Sequence, residues 1–116
     1  MDKNADPTNP ILLETIESLE SSNSDFWKKT AKNLGKVNRK RPEVNISDLE
    51  RNTEEGDTVV VPGKVLGAGR LTKEIKVAAF QASKTAKDHI EQNGEFLFIQ
   101  DLFDENPEAE DLKIVK

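Results

Sequence analysis

The chain has 116 residues, 34% of them apolar and 34% charged, with a net charge of −5 and no cysteine. One small domain with a thin core is expected; disulfides, zinc–thiolate centres and a cysteine nucleophile are excluded. No apolar run approaches the roughly 20 residues of a membrane helix, so a soluble cytoplasmic protein with no membrane partner is expected.

Taken in chain order, residues 1–8 read as a disordered tail and residues 9–42 as N-terminal helices with a basic linker. Residues 43–116 read as an α/β body. Asn9-Pro10 starts the first helix, with Asn as cap and Pro in the first turn. Leu12, Ile16 and Leu19 share one face, and Ser21-Ser22-Asn23-Ser24 ends it. A second helix runs from about Asp25 to Leu34, with Gly35 as its stop. Val44-Asn45-Ile46 is extended, and Ser47 is placed to cap a short helix ending near Thr53. Thr58 to Val61 is a buried strand, followed by a glycine-rich loop from Pro62 to Leu71. Lys76 to Phe80 is a strand, Ser83 to Asn93 a helix stopped by Gly94, and Phe96-Leu97-Phe98 a short strand. Helical turns through Ile99, Leu102 and Phe103 end at Asn106-Pro107, and Leu112 to Val115 is a final strand. Mixed strands and helices predict an α/β domain behind two N-terminal helices.

The net acidity argues against a nucleic-acid partner, but its distribution argues otherwise. Residues 1–25 carry −5, residues 26–87 carry +7, and residues 88–116 carry −7. Screening confines each charge to about 8 Å in cell salt, so a phosphate partner reads the local field and not the sum.

Within the basic middle, seven of the fourteen residues from Lys28 to Arg41 are Lys or Arg and none is acidic. With Trp27 at zero and a helical step of about 100° per residue, Ala31 and Leu34 fall within about 40° of it. Lys28, Lys29, Lys32 and Lys36 fall at roughly 100–200°, on the opposite side. The helix presses an apolar stripe on the body and holds out a lysine comb that runs into Arg39-Lys40-Arg41. A lysine face alone usually means a solvated helix; the arginine-rich extension without acidic partners tips the reading towards RNA.

The stretch Val61-Pro62-Gly63-Lys64-Val65-Leu66-Gly67-Ala68-Gly69-Arg70 has three glycines between flanking cations. It is not a phosphate loop of the Walker type, because Gly67 is followed by Ala68 and not by Lys and Ser or Thr. The dinucleotide fingerprint is absent too, since its third glycine would fall at Thr72. On shape alone, a plain turn and a close approach to RNA backbone stand level.

Catalytic signals are thin. His89 is the only histidine and sits beside the Ala86/Ile90 side of its helix, as a boundary residue. It leaves no partner for a metal pair or a serine triad. Asp101, Asp104, Glu105, Glu108, Glu110 and Asp111 do not match a calcium loop and read as a solvated acidic surface. Trp27 belongs to the core, while Phe26, beside the lysines, is left open as a base-stacking residue. No catalytic residue, cofactor, metal or small-molecule substrate is expected. The rival to an RNA-binding role is a cytoplasmic interaction module whose basic segment binds an acidic partner. An enzyme using the glycine-rich loop for a nucleotide lacks any acid–base pair.

Glu43-Val44-Asn45-Ile46-Ser47 and the run from Glu55-Gly56-Asp57-Thr58 through Val61-Pro62-Gly63-Lys64-Val65-Leu66-Gly67-Ala68-Gly69 carry a family likeness. They resemble the archaeal and eukaryotic ribosomal protein eighteen of the large subunit, a family distantly related to bacterial large-subunit protein fifteen. Thr8-Asn9-Pro10, Trp27 with its basic run, Val77-Ala78-Ala79, the Ser83 helix and Glu105-Asn106-Pro107 with a last strand match too. Ile11 departs from it, standing where the family often has arginine. The resemblance implies an irregular superhelix of β-β-α units with the N-terminal helices docked on it. It implies a structural constituent of the large subunit that binds and organises ribosomal RNA beside neighbouring ribosomal proteins. The RNA-facing parts would be Lys36 to Arg41, Asn45, and the loop with Gly63, Lys64, Gly67, Gly69 and Arg70.

Residues Lys36 to Pro42 include four basic residues and one apolar one, too little to bury. This composition predicts a segment poorly ordered in the free protein and ordered on RNA. Amide exchange is expected to be fast there without RNA and slowed with it; strong protection in the free chain would refute the reading.

Overall fold

The structure, a computed structural model, describes residues 10–35 and 43–116. The expected cap Asn9 and the basic linker lie outside these residues. The described chain forms α1 (Pro10–Glu20), α2 (Asp25–Leu34), β1 (Glu43–Asn45), α3 (Ile46–Asn52), β2 (Thr58–Leu66), β3 (Lys76–Ala82), α4 (Lys84–Asn93), β4 (Glu95–Phe98), α5 (Ile99–Glu105) and β5 (Leu112–Ile114).

All the strand pairings are parallel, in the order β1-β2-β3-β4, with β5 also paired to β2. The α/β class is as expected: α3, α4 and α5 lie between β1 and β2, β3 and β4, and β4 and β5, while β2 passes to β3 through a loop, so that β2, β3 and α4 follow one another as a β-β-α unit. Helices cover both faces, which is why the central strands are apolar on successive residues and do not alternate. On one face Val59, Val61, Val77 and Ala79 meet Ile46 and Leu49 of α3 and Ala86 and Ile90 of α4. On the other, Val60, Ala78 and Leu97 meet Leu12 and Leu19 of α1, Trp27, Ala31 and Leu34 of α2, and Ile99 and Leu102 of α5. Each fully buried Leu, Ile or Val side chain contributes about 1.5–3 kcal/mol of transfer free energy.

The predicted stripe of α2 is fully buried. Trp27 donates its indole N–H to the carbonyl of Asn106 at 3.0 Å, so its one polar atom is satisfied inside the core. Phe26 and Phe103 meet the indole edge-on, with ring centroids at 5.4 and 5.5 Å. Phe26 therefore belongs to this core, which resolves the open reading.

β2 differs from expectation. The sequence predicts a loop from Pro62 onwards, yet the strand continues to Leu66. Proline lacks a ladder N–H and belongs where pairing is interrupted, and β2 provides such a place. Its register with β3 shifts between Val61 and Lys64. On its other edge β5 ends opposite Val60 and β1 begins opposite Lys64. Pro62 and Gly63 fall in the gap between these two partners, at a bulge on the remaining side.

The cap of α3 also differs. Asn45, not Ser47, is the cap: its side chain accepts from the Asp48 N–H, and its own N–H donates to Asp48 Oδ2 at 2.9 Å. This reciprocal pair satisfies two otherwise orphan donors. Ser47 instead donates its backbone N–H to Ala68 O at 3.0 Å, tying the glycine-rich turn to α3. At α4 the expectation holds, with Ser83 Oγ accepting from Ala86 N at 3.2 Å. Gly35 ends α2 with right-handed backbone, φ −75°.

The chain beyond the turn is held by α3 as well. The Thr72 N–H and hydroxyl donate to the two carboxylate oxygens of Glu50 at 3.0 and 2.7 Å. Lys73 Nζ donates to the Glu50 carbonyl at 2.6 Å and to the Thr53 carbonyl, covering the exposed end of the helix. The Thr72 backbone bond, then its hydroxyl bond and the nearby Lys73 charge, hold the Glu50 carboxyl below its ordinary value; partial desolvation opposes them.

Gly67 and Gly69 are required by packing. A Cβ on Gly67 would lie 2.7 Å from Thr85 Cβ and Cγ2. Gly69 has φ +111°, and a Cβ there would lie 2.6 Å from Ser47 N. Both glycines are seated against helix starts distant in sequence, so the turn has a packing role whatever else it meets. Gly67→Ala and Gly69→Ala are each expected to lower stability by about 1–3 kcal/mol, read as an earlier thermal melt of the free protein. Glu50→Gln is expected to melt earlier than the parent chain at neutral pH. A carboxyl with a depressed folded pKa contributes stability above its unfolded value and loses it as pH falls through the folded one. The two melting curves should therefore converge below the ordinary glutamate range, and a difference constant with pH would refute the assignment.

Candidate nucleic-acid interface

Two groups of predicted residues are visible. The first lies on α2, whose apolar stripe faces the sheet through Trp27, Ala31 and Leu34. Lys28, Lys29 and Lys32 stand exposed on its other side, as the helical spacing required. Lys36, Arg39, Lys40 and Arg41 lie outside the described residues.

The second group gathers at the carboxyl end of β2. Parallel pairing sets Glu43 beside Lys64 and Asn45 beside Leu66, so the chain leaving the basic linker enters the sheet next to Lys64. The Ser47–Ala68 bond and the contact of Gly69 with Ser47 then fold the turn back on α3. Asn45, Lys64, Gly67, Gly69 and Arg70 thus lie together at the carboxyl end of β2 and in the turn that follows it. Arg70 is exposed, Lys64 half-buried, and Gly63 buried at the bulge of β2. Gly63, predicted as a contact residue, serves the strand and has no surface to offer. Asn45 is half-buried, and its side chain already accepts from the Asp48 N–H as the cap of α3.

Among the described residues, Arg51 pairs with Asp48, Lys76 with Glu95 and Glu105, Lys84 with Asp88, and Lys113 with Asp57. Lys73 is taken up by helix carbonyls. Lys28, Lys29, Lys32, Lys64 and Arg70, all singled out from the sequence, are in no ion pair with a described residue, and neither are Lys87 and Lys116. A cation without a carboxylate partner keeps its field available for an external anion.

The sequence reading missed Lys87 and Phe98. Phe98 is 46% exposed, and the Lys87 ammonium stands 5.2 Å from its ring centroid. The signal was present in strand periodicity: Phe96 and Phe98 share one side of β4, while Leu97 points into the core.

No helix among the described residues is long and apolar enough to cross a membrane. The family model for ribosomal proteins 50S-L15 and 50S-L18e and their 60S counterpart, protein twenty-seven A, matches residues 10–94. The chain is 40% identical over 114 residues to the large ribosomal subunit protein eL18 of Methanothermobacter thermautotrophicus, covering 94% of each chain. It is 43% identical over 113 residues to eL18 of Methanococcus maripaludis, covering 93% of this chain and 94% of the relative. It is 40% identical over 113 residues to eL18 of Haloarcula marismortui, covering 94% and 97%. With a parallel α/β body and this likeness over nearly its whole length, the chain belongs to the family of ribosomal proteins L15 and L18e, structural components of the large subunit and not enzymes.

Proposed function

We propose that this protein is a structural constituent of the large ribosomal subunit that binds and organises large-subunit ribosomal RNA, beside neighbouring ribosomal proteins and in the cytoplasm. One observation carries the RNA-binding part of the reading. The exposed cations of α2 and of the Lys64–Arg70 surface lack carboxylate partners among the described residues, while the other lysines and arginines that form ion pairs are neutralised within the fold. Lys28, Lys29 and Lys32 meet phosphates from α2; Lys36, Arg39, Lys40 and Arg41 continue the contact; Lys64 and Arg70 meet phosphates at the end of β2. Asn45, Gly67 and Gly69 shape that second surface, so the glycines combine a packing role with a close approach to RNA.

This reading predicts binding that weakens with salt, because each phosphate contact releases condensed counterions. Replacing Arg39, Lys40 and Arg41 together with alanine should reduce the slope of log affinity against log salt by about 0.7–0.9 for each phosphate no longer met. Lys28, Lys29 and Lys32 replaced together should do the same without loss of helix, since alanine is a good helix former. Affinity for large-subunit RNA, measured across a salt series, checks both; slopes equal to the parent's would remove these residues from the interface.

A further inference from the structure

At the carboxyl ends of β3 and β4 a groove of about 570 Å³ opens between α1, α4 and α5, with Lys64, Phe80, Ala82, Lys87, Phe98 and Asp101 among its walls. Its volume is in the range of pockets that take small ligands. The floor is apolar, the lysines outnumber the single carboxylate, and an aromatic ring stands open in it. Phe98 is not loosely placed. Phe96 meets it edge-on at 5.4 Å and 84°, and Lys87 stands 5.2 Å from its centroid and 5.6 Å from that of Phe96. A fixed aromatic ring beside a cation is the arrangement that stacks an unpaired base and holds its phosphate. Lys64 belongs both to this groove and to the surface at the end of β2, so RNA lying on that surface reaches the groove without leaving the protein.

We propose that this groove receives one unpaired base of the RNA, stacked on Phe98, with Lys64 and Lys87 meeting the flanking phosphates. The proposal rests on the RNA-binding reading above and adds a specific demand: the contacted RNA has a nucleotide turned out of its helix here. A duplex has no free base face to offer, so this part of the interface distinguishes a bulge or loop from a continuous helix.

The test measures binding of the full chain to a labelled uridine octamer, to an abasic oligomer of the same length, and to an octamer duplex. Phe98→Ala is expected to weaken octamer binding about tenfold while leaving the abasic oligomer and the duplex unchanged. Phe98→Trp should restore octamer binding, and Phe98→Leu should not. Thermal melts of the three variants establish folding, which exposure of the ring favours. Equal octamer affinity in Phe98→Ala and the parent, with a reduced salt slope in the α2 lysine variant, would overturn the groove and leave the RNA-binding reading standing. Full binding by Phe98→Leu would show an apolar cover, such as a protein segment, and not a stacked base. Equal losses on octamer and abasic oligomer would likewise overturn stacking. No binding of any RNA by the parent would overturn both readings.

Discussion

Three strands hydrogen-bond to β2, two of them along the same edge, and its side chains are held from both faces of the sheet. Val59 and Val61 enter the core under α3 and α4, while Val60 enters the core under α1, α2 and α5. Pro62, which has no N–H to leave unpaired, stands at the break where this strand exchanges one neighbour for another. Past the break, the strand carries Lys64 out to the surface, and the turn after Leu66 presents Arg70. The proposed interface is thus an extension of the element that organises both cores. Its position depends on main-chain pairing, which is more rigid than a free loop.

The charge arrangement follows a division of labour within a chain of net −5. Carboxylates that neutralise Arg51, Lys76, Lys84 and Lys113 lie on the strands and helices of the body and the turn before β2. These pairs are mostly solvent-exposed, and pairs of that kind contribute little to stability. Their larger effect is to offset positive charge locally, which leaves the unpaired cations of α2 and the end of β2 as sources of positive field. Overall acidity is compatible with an anionic partner because screening makes the local field, and not the net charge, decide what binds.

Local signals are legible in the sequence. The stripe of Trp27, Ala31 and Leu34, the cap at Ser83 and the start of β2 each depend on residues within a turn or two. The continuation of β2 is not legible, because Pro62 reads as a strand breaker unless one knows that β1 and β5 meet end to end beside it. Gly67 and Gly69 look like free turn residues for the same reason: Thr85 and Ser47, which fill the space a side chain would need, are far away in the chain. Asn45 reads as extended, which its backbone is, but the carboxylate three residues later makes it the cap. Phe98 escapes notice in a short apolar run, although its neighbour Leu97 belongs to the core and successive strand residues point to opposite faces. Of the candidate interface, the lysines on α2 are placed correctly by helical geometry, and the contribution of Lys87 is invisible without the sheet that brings α4 beside β4.

The pairing of Thr58 with Leu112 and of Val60 with Ile114 has a bearing on how the molecule is made. β5 is synthesised after every other described strand, yet it supplies the first half of β2 with its neighbour. Until it arrives, that edge carries unpaired N–H and C=O groups next to an apolar surface, the combination that invites pairing with a foreign chain. Parallel pairings between distant segments also form late, because loop closure must precede them. The newborn chain is therefore vulnerable at its most central strand for as long as the final strand is missing.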